Sequence, residues 1–245
     1  MEWVPPNWEP RAPVPDLPRG IVHLWRVRAD TGDAAWREIL DPRENERLSR
    51  FGSAEDASRE AAGRGALRLL LGAYLGVPPL QVALLAEPSG KTTVAGQSGD
   101  HRIEFNLSHS GNWVLFAFAR GGRVGIDVEQ WKEIEFEEIA REVFTPEEME
   151  EWMLWPVPHR PAAFFGAWTL KESYLKALGT GISKPPRSVR VRIAPATDPA
   201  LIWCADDPAA TERWSLSRLE MEPGYSAALT AERGINRGFS FTLQA

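Results

Sequence analysis

Residues 112–119, Asn-Trp-Val-Leu-Phe-Ala-Phe-Ala, place seven apolar side chains in eight positions. A strand with one solvated face alternates apolar and polar residues, so an unbroken run is a strand covered on both faces. The rest of the chain must therefore supply cover for two sides of it. The flanking residues supply partners. Residues 103–107 read as a short strand ending in Ser108-His109-Ser110. Downstream, Arg120-Gly121-Gly122-Arg123 sets a Gly-Gly pair between two strand patterns, which is a hairpin signal, and residues 124–129 form the return strand.

Residues 20–28 carry Ile21, Val22, Leu24, Trp25 and Val27 and read as a further strand. Asp41-Pro42 is an N-cap with a first-turn proline and opens a helix over 44–51. Ser53 caps a longer helix, with Asp56 in the capping-box position, which runs to Leu75 and stops at Gly76-Val77-Pro78-Pro79. Residues 80–86 read as a short strand and 88–100 as a glycine-broken loop. Helical patterns follow at 136–143, 146–155 and 161–178. Thr145-Pro146-Glu147-Glu148 gives the second of these a cap, a first-turn proline and acidic charge at the positive end of the helix dipole. Gly179-Thr180-Gly181 closes the third. Strands are expected near 189–193, 214–219 and 225–229, with an Ala/Pro/Asp loop over 194–210.

Each half thus runs strand, long helix, further strands, which makes an α+β chain of two similarly built halves. The expected division is a Pro/Trp-rich N-terminal arm over 1–20, an N-terminal lobe over 21–120 and a C-terminal lobe over 121–245.

Composition narrows the classes. A length of 245 residues suffices for one large domain or two small ones. The formal net charge of −6 argues against wrapping nucleic acid, which needs a basic face, but leaves room for a local basic pocket. Cys204 is the single cysteine, so neither an intrachain disulfide nor a cysteine metal cluster can form, as suits a reducing compartment. The start has no basic stretch leading into an apolar core, and no apolar run approaches the roughly 18 residues that span a bilayer. A cytoplasmic protein with no membrane partner is the expectation.

The chemistry-bearing residues come next. In Gly125-Ile126-Asp127-Val128-Glu129, strand alternation turns Ile126 and Val128 to one face, and Gly125, Asp127 and Glu129 to the other. Two carboxylates held on one face repel unless a cation or proton intervenes. Hard oxygen ligands of this kind suit Mg²⁺, which shares its shell with substrate phosphates. A solvated acidic face of an edge strand fits the same five residues. On the helix over 161–178, Phe164, Ala167, Trp168, Tyr174, Leu175 and Leu178 share a face, and Lys171 falls inside it. Glu172 and Lys176 are neighbours at its edge. A lysine on a buried face must snorkel or meet a fixed anion. Either Glu172 and Lys176 form a surface pair, or Lys171 and Lys176 hold phosphates while Glu172 joins a metal. Ser108-His109-Ser110 can bind phosphate oxygens through hydroxyl, imidazole and backbone N–H groups, or can be a simple turn. The Walker loop G-x-x-x-x-G-K-[ST], the dinucleotide G-x-G-x-x-G and the hydrolase elbow G-x-S-x-G are all absent from the sequence. Bound phosphate must then be held largely by side chains and metal.

Three segments together carry a resemblance. Phe105-Asn106-Leu107-Ser108-His109-Ser110, then Gly125-Ile126-Asp127-Val128-Glu129, then Trp168-Thr169-Leu170-Lys171-Glu172-Ser173-Tyr174-Leu175-Lys176 look like the signature motifs of the 4′-phosphopantetheinyl transferases, in order and spacing. A looser match lies at Arg50-Phe51, Glu55-Asp56-Ala57 and Arg59. The length is similar to the two-lobed, monomeric type first known from surfactin production. Where the family usually has Gly-Lys-Pro, this chain has Gly90-Lys91-Thr92.

The resemblance implies two similar α+β lobes in a pseudo-twofold arrangement with the active site in the cleft between them. It implies transfer of the 4′-phosphopantetheine arm of coenzyme A to a serine of an apo acyl or peptidyl carrier protein, releasing adenosine 3′,5′-bisphosphate. By the same resemblance, Asp127, Glu129 and Glu172 hold Mg²⁺, with Mn²⁺ as a substitute, and Asp127, Glu172 and Lys176 are catalytic. Arg59, Lys91, Ser108, His109, Lys171 and Lys176 would bind coenzyme A. Another Mg²⁺-dependent phosphoryl enzyme, or a non-catalytic coenzyme A-binding module, would use the same residues.

Overall fold

The computed structural model describes residues 9–10, 13–87, 90–97, 99, 102–179 and 184–243. In chain order its elements are β1 (Glu9–Pro10), β2 (Ile21–Arg28), α1 (Asp33–Glu38), α2 (Pro42–Leu48), α3 (Ala54–Leu75), β3 (Leu84–Ala86), β4 (Thr92–Val94), β5 (Ile103–Ser110), β6 (Trp113–Arg120), β7 (Val124–Gln130), α4 (Phe136–Val143), α5 (Pro146–Met153), α6 (Arg160–Leu178), β8 (Val189–Val191), β9 (Leu201–Cys204), α7 (Ala210–Arg213), β10 (Trp214–Leu219), β11 (Tyr225–Glu232) and β12 (Arg237–Thr242). A five-stranded sheet has the order β1-β12-β2-β6-β5, and a three-stranded sheet the order β10-β11-β7.

The apolar run is β6, paired antiparallel with β2 on one side and β5 on the other. Its two faces enter different cores. Val114, Phe116 and Phe118 pack with Leu67, Leu70 and Leu71 of α3. Leu115, Ala117 and Ala119 pack with Ile126, Val128 and Leu229 of the second sheet. Burying a phenylalanine contributes roughly 1.5–3 kcal/mol, so β6 ties the two lobes together by its own side chains. A third cluster surrounds α6, where Phe164, Leu170 and Tyr174 meet Trp152, Val189 and Trp214.

The two lobes repeat one plan: a strand, a long helix across the sheet, and an antiparallel hairpin. In the first these are β2, α3 and β5–β6; in the second, β7, α6 and β10–β11. The caps read from sequence form the ends. Ser53 Oγ accepts from Asp56 N at 3.0 Å to start α3, and Gly76, at φ 69°, ends it in the left-handed region where glycine costs least. Asp41 and Glu44 make a full capping box on α2. Arg68 of α3, buried, donates to both of those carboxylates and to the carbonyls of Pro79 and Val82, which welds α2, α3 and the following turn.

Several boundaries differ from expectation. Only residues 84–86 of the expected strand 80–86 pair as a strand, after a 3₁₀ turn at Pro79–Gln81. The expected loop 88–100 contains β4, which pairs with β3, and the expected loop 194–210 contains β9, which pairs with β8. Both are short strands whose pairing is tertiary. β12 was not expected, and it crosses back to pair parallel with β2 in the first sheet. The C-terminal lobe expected over 121–245 thus gives its last strand to the other lobe. Within the expected arm 1–20, β1 pairs parallel with β12, while residues 1–8 and 11–12 lie outside the described residues. Gly179 caps α6 at φ 72°, and Thr180 and Gly181 lie outside the described residues.

Candidate active site

The site forms where two sheet edges meet. β5 ends one sheet and β7 ends the other, and among the described residues no backbone ladder joins them. Side chains of alternate β5 residues make the seam instead, because period-two spacing turns Asn106, Ser108 and Ser110 to one face. Asn106 Oδ1 accepts from Ile126 N at 3.0 Å, and Ser108 Oγ donates to Asp127 Oδ1 at 2.8 Å. Ser110 Oγ donates to Glu129 Oε2 at 2.9 Å and accepts from Gln130 N at 3.0 Å. Each carboxylate of β7 is thereby held by a serine of β5.

Gly125 brings the helix to the strand. A Cβ there would overlap the carbonyl oxygen of Ser173 and the amide of Ala177, so α6 lies directly on β7. Ser173 Oγ also bonds Thr230 Oγ1 at 2.8 Å, and Thr230 is the register partner of Gly125. Helical periodicity then sets Trp168, Glu172 and Lys176 in a row beside Asp127 and Glu129. These five, with Leu107, Ser108 and His109, line a cleft of about 240 Å³.

The charges in it are strained against one another. Asp127 is 3 % exposed. Its Oδ1 lies 2.6 Å from Lys176 Nζ, while its Oδ2 is buried with no hydrogen-bond partner. Burial pushes the Asp127 carboxyl up, and Lys176 and Ser108 pull it back. Burial first and the Asp127 charge second push Glu129 up. Glu172 is raised by burial, then by Asp127 and, less, by Glu129, with Lys176 opposing. Among the described residues no three His, Cys, Asp or Glu side chains yet stand close enough to hold a metal by themselves. The donor set nevertheless fits Mg²⁺. It is all carboxylate oxygen, it contains one buried oxygen without a partner, and Mg²⁺ uses one or two carboxylates plus waters and substrate phosphates.

A basic cavity of about 320 Å³ adjoins the acidic cleft and shares Leu107, His109 and Lys176 with it. Arg47, Arg59, Arg64 and Lys91 contribute the rest of its positive charge, and Leu67 and Phe105 part of its apolar wall. Arg59 donates to Gly111 O at 3.1 Å and pairs with Asp56. Lys91 Nζ lies 3.3 Å from Glu104. Burial lowers the His109 imidazole, with Arg59 and Lys176 adding to the effect and Glu60 opposing it. The protein's net charge is −6, yet this cavity sets Arg47, Arg59, Arg64, Lys91 and Lys176 against the one carboxylate of Glu60.

Family models match both lobes. Residues 25–120 match the 4′-phosphopantetheinyl transferase N-terminal model, and residues 123–230 match the 4′-phosphopantetheinyl transferase superfamily model. The chain is 36% identical over 227 residues to the 4′-phosphopantetheinyl transferase HetI of Nostoc sp., covering 91% of this chain and 92% of the relative. This chain belongs to the 4′-phosphopantetheinyl transferase family. It is also 26% identical over 210 residues to the 4′-phosphopantetheinyl transferase Sfp of Bacillus subtilis, covering 86% of this chain and 90% of that one.

Within this transferase, one expected ligand residue stands elsewhere. Lys171, read as a pyrophosphate or arm contact, does not line the cleft. Its side chain is 0% exposed, with Nζ 2.6 Å from Glu148 Oε2 and within hydrogen-bond reach of the carbonyls of Pro186 and Val189. Its place inside the apolar face of α6 turns it into the core. The fixed anion it meets is Glu148, which also takes Val191 N at 2.8 Å and completes the Thr145 capping box. An apolar-face lysine therefore does not by itself argue for a phosphate site.

Asp127, Glu129, Glu172, Lys176, Ser108 and His109 come together in one cleft, and Arg59 and Lys91 line the cavity beside it. Ser110 and Asn106 were missed as seam residues, although their two-residue spacing with Ser108 is visible in the sequence. Arg47 and Arg64 were missed because nothing local distinguishes a cavity-lining arginine from a surface one.

Proposed function

We propose that this transferase moves 4′-phosphopantetheine from coenzyme A to a serine of an apo carrier protein at the seam between β5 and β7. One observation carries the reading: a cation-lined cavity and an acidic cleft abut, with His109 and Lys176 in both walls. Coenzyme A has matching halves, a nucleotide end bearing phosphates and a pyrophosphate from which the arm departs. Arg59, Lys91, Ser108 and His109 would hold the nucleotide phosphates. Asp127, Glu129 and Glu172 would hold Mg²⁺, or Mn²⁺ in its place, which when bound supplies charge neutralisation at the pyrophosphate.

The serine hydroxyl attacks the β-phosphorus. The bond from that phosphorus to the bridging oxygen breaks, and adenosine 3′,5′-bisphosphate leaves with the electron pair. Such transfers depend on positioning and charge stabilisation rather than on protein nucleophiles. Lys176 faces the phosphates from α6. Glu172, beside the phosphates on α6, takes the serine proton. The reading extends to a monomer acting in the cytoplasm without nucleic acid. Among the described residues no helix is long and apolar enough to cross a membrane.

The test incubates the purified protein with coenzyme A, Mg²⁺ and a panel of apo acyl and peptidyl carriers. Intact-mass measurement reads the gain of one arm, matched by released adenosine 3′,5′-bisphosphate. Hydrolysis of coenzyme A without carrier modification would favour a hydrolase instead.

A further inference from the structure

The turn that joins β5 to β6 is gripped from the opposite lobe. Its residues are Gly111 and Asn112, with Gly111 at φ 54°. A Cβ on Gly111 would overlap the Tyr225 hydroxyl, so that hydroxyl sits directly on the turn. Asn112 N donates to Tyr225 Oη at 3.1 Å. Trp113 Nε1 donates to Glu222 Oε1 at 2.5 Å, from the loop that leads into β11. On the first-lobe side, Arg59 donates to Gly111 O at 3.1 Å and Ala29 N to Asn112 O at 2.9 Å. Immediately before the turn is Ser110, whose hydroxyl holds Glu129 at 2.9 Å.

We propose that Tyr225 is a positioning residue for the transfer reaction: by clamping the Gly111 turn it keeps Ser110 on Glu129 and so sets the affinity of the β7 carboxylates for a divalent cation. Three features favour this over a purely structural contact. Tyr225 lies on β11 opposite Gln130 of β7, so one residue contacts both sides of the seam. Gln130 N also bonds Ser110 Oγ, which makes the turn, the serine and the end of β7 one hydrogen-bonded unit. β5 has no backbone ladder to β7 among the described residues, so along this edge the two strands are joined by such side-chain bonds. The inference rests on the reading of Asp127 and Glu129 as metal-holding residues.

The experiment is a Mn²⁺ titration of the full chain by electron paramagnetic resonance, without coenzyme A, on wild type, Asp127→Asn, Tyr225→Phe, Ser110→Ala and the Tyr225→Phe/Ser110→Ala double variant. Loss of one positioning hydrogen bond should raise the Mn²⁺ Kd of Tyr225→Phe about three- to tenfold. The double variant should bind no more weakly than Ser110→Ala, because the two act through one chain of bonds. In turnover the Mg²⁺ concentration for half-maximal rate should rise, with kcat at saturating Mg²⁺ little changed. A Tyr225→Phe Kd equal to wild type, or a defect that adds in full to that of Ser110→Ala, overturns this inference alone. Wild-type Mn²⁺ binding that survives Asp127→Asn unchanged overturns the metal reading and this inference with it.

Discussion

The Lys176 ammonium stands 2.6 Å from Asp127 Oδ1 and 2.8 Å from Ser108 Oγ, so a cation from α6 already neutralises the most buried carboxylate of β7. Without it, Asp127 would face burial and its acidic neighbours with only hydrogen bonds to hold its charge. Lys176→Met should therefore lower kcat/KM for transfer about 10²- to 10³-fold, the scale of losing one charge-stabilising group. Circular dichroism should show an unchanged fold, because Lys176 lies at the cleft rather than in a core.

The acidic cluster should cost stability in the absence of metal. Glu172 has a folded pKa raised above its unfolded value. A raised acid is stabilising while protonated, and that contribution disappears as pH climbs through the folded pKa. Glu172→Gln keeps the neutral form at all pH values. At pH 8 without divalent ions, its Tm should exceed wild type by about 2–6 °C, and the gap should close as pH falls below the ordinary glutamate range near 4.3. Saturating Mg²⁺ should raise the wild-type Tm and leave the variant nearly unmoved. Thermal melts at several pH values test this.

Lys171 and Glu148 should behave as a core pair. Burial lowers the lysine and raises the glutamate, and each opposes the shift of the other. Removing one partner leaves the other charge buried, so Lys171→Met should destabilise by about 3–5 kcal/mol. Lys171→Met combined with Glu148→Gln should recover part of that loss. Folded protein of either variant should keep a coenzyme A KM close to wild type, which urea unfolding and steady-state kinetics together can establish.

How far the sequence alone could reach is clearest at these lysines. Lys171 and Lys176 occupy one motif, and helical periodicity already sets Lys171 inside the apolar face and Lys176 at its edge. Packing supplies the partners: α6 turns Lys171 toward Glu148 of α5 and Lys176 toward Asp127 in the cleft. The strand β7 was legible as a strand, since alternation separates Ile126 and Val128 from Asp127 and Glu129, but the hairpin expected at Gly121-Gly122 does not form: β6 pairs with β2 and β5, while β7 crosses to the second sheet and pairs with β11. The apolar β6 and the capped α3 were legible for similar local reasons. β4, β9 and β12 were not, because a short strand is decided by the neighbour it pairs with. The basic cavity was hidden too, since Arg47, Arg59, Arg64 and Lys91 are scattered in sequence and gathered only by the fold.

His109 should take up a proton when coenzyme A binds. In the free protein its imidazole is held below its ordinary value, mainly by burial, and so is neutral at pH 7. An arriving phosphate favours the charged form and raises that pKa. Calorimetry in buffers of different ionisation enthalpy should detect net proton uptake near pH 6.5, and His109→Gln should abolish it.

The decisive measurement compares arm transfer by wild type, Asp127→Ala and Glu172→Ala at equal concentrations of folded protein, read by intact mass of an apo carrier with coenzyme A and Mg²⁺. The carboxylates of β7 and α6 acting as one site require that wild type load the carrier and both variants fall to background. Loading by either folded variant at the wild-type rate would contradict that site.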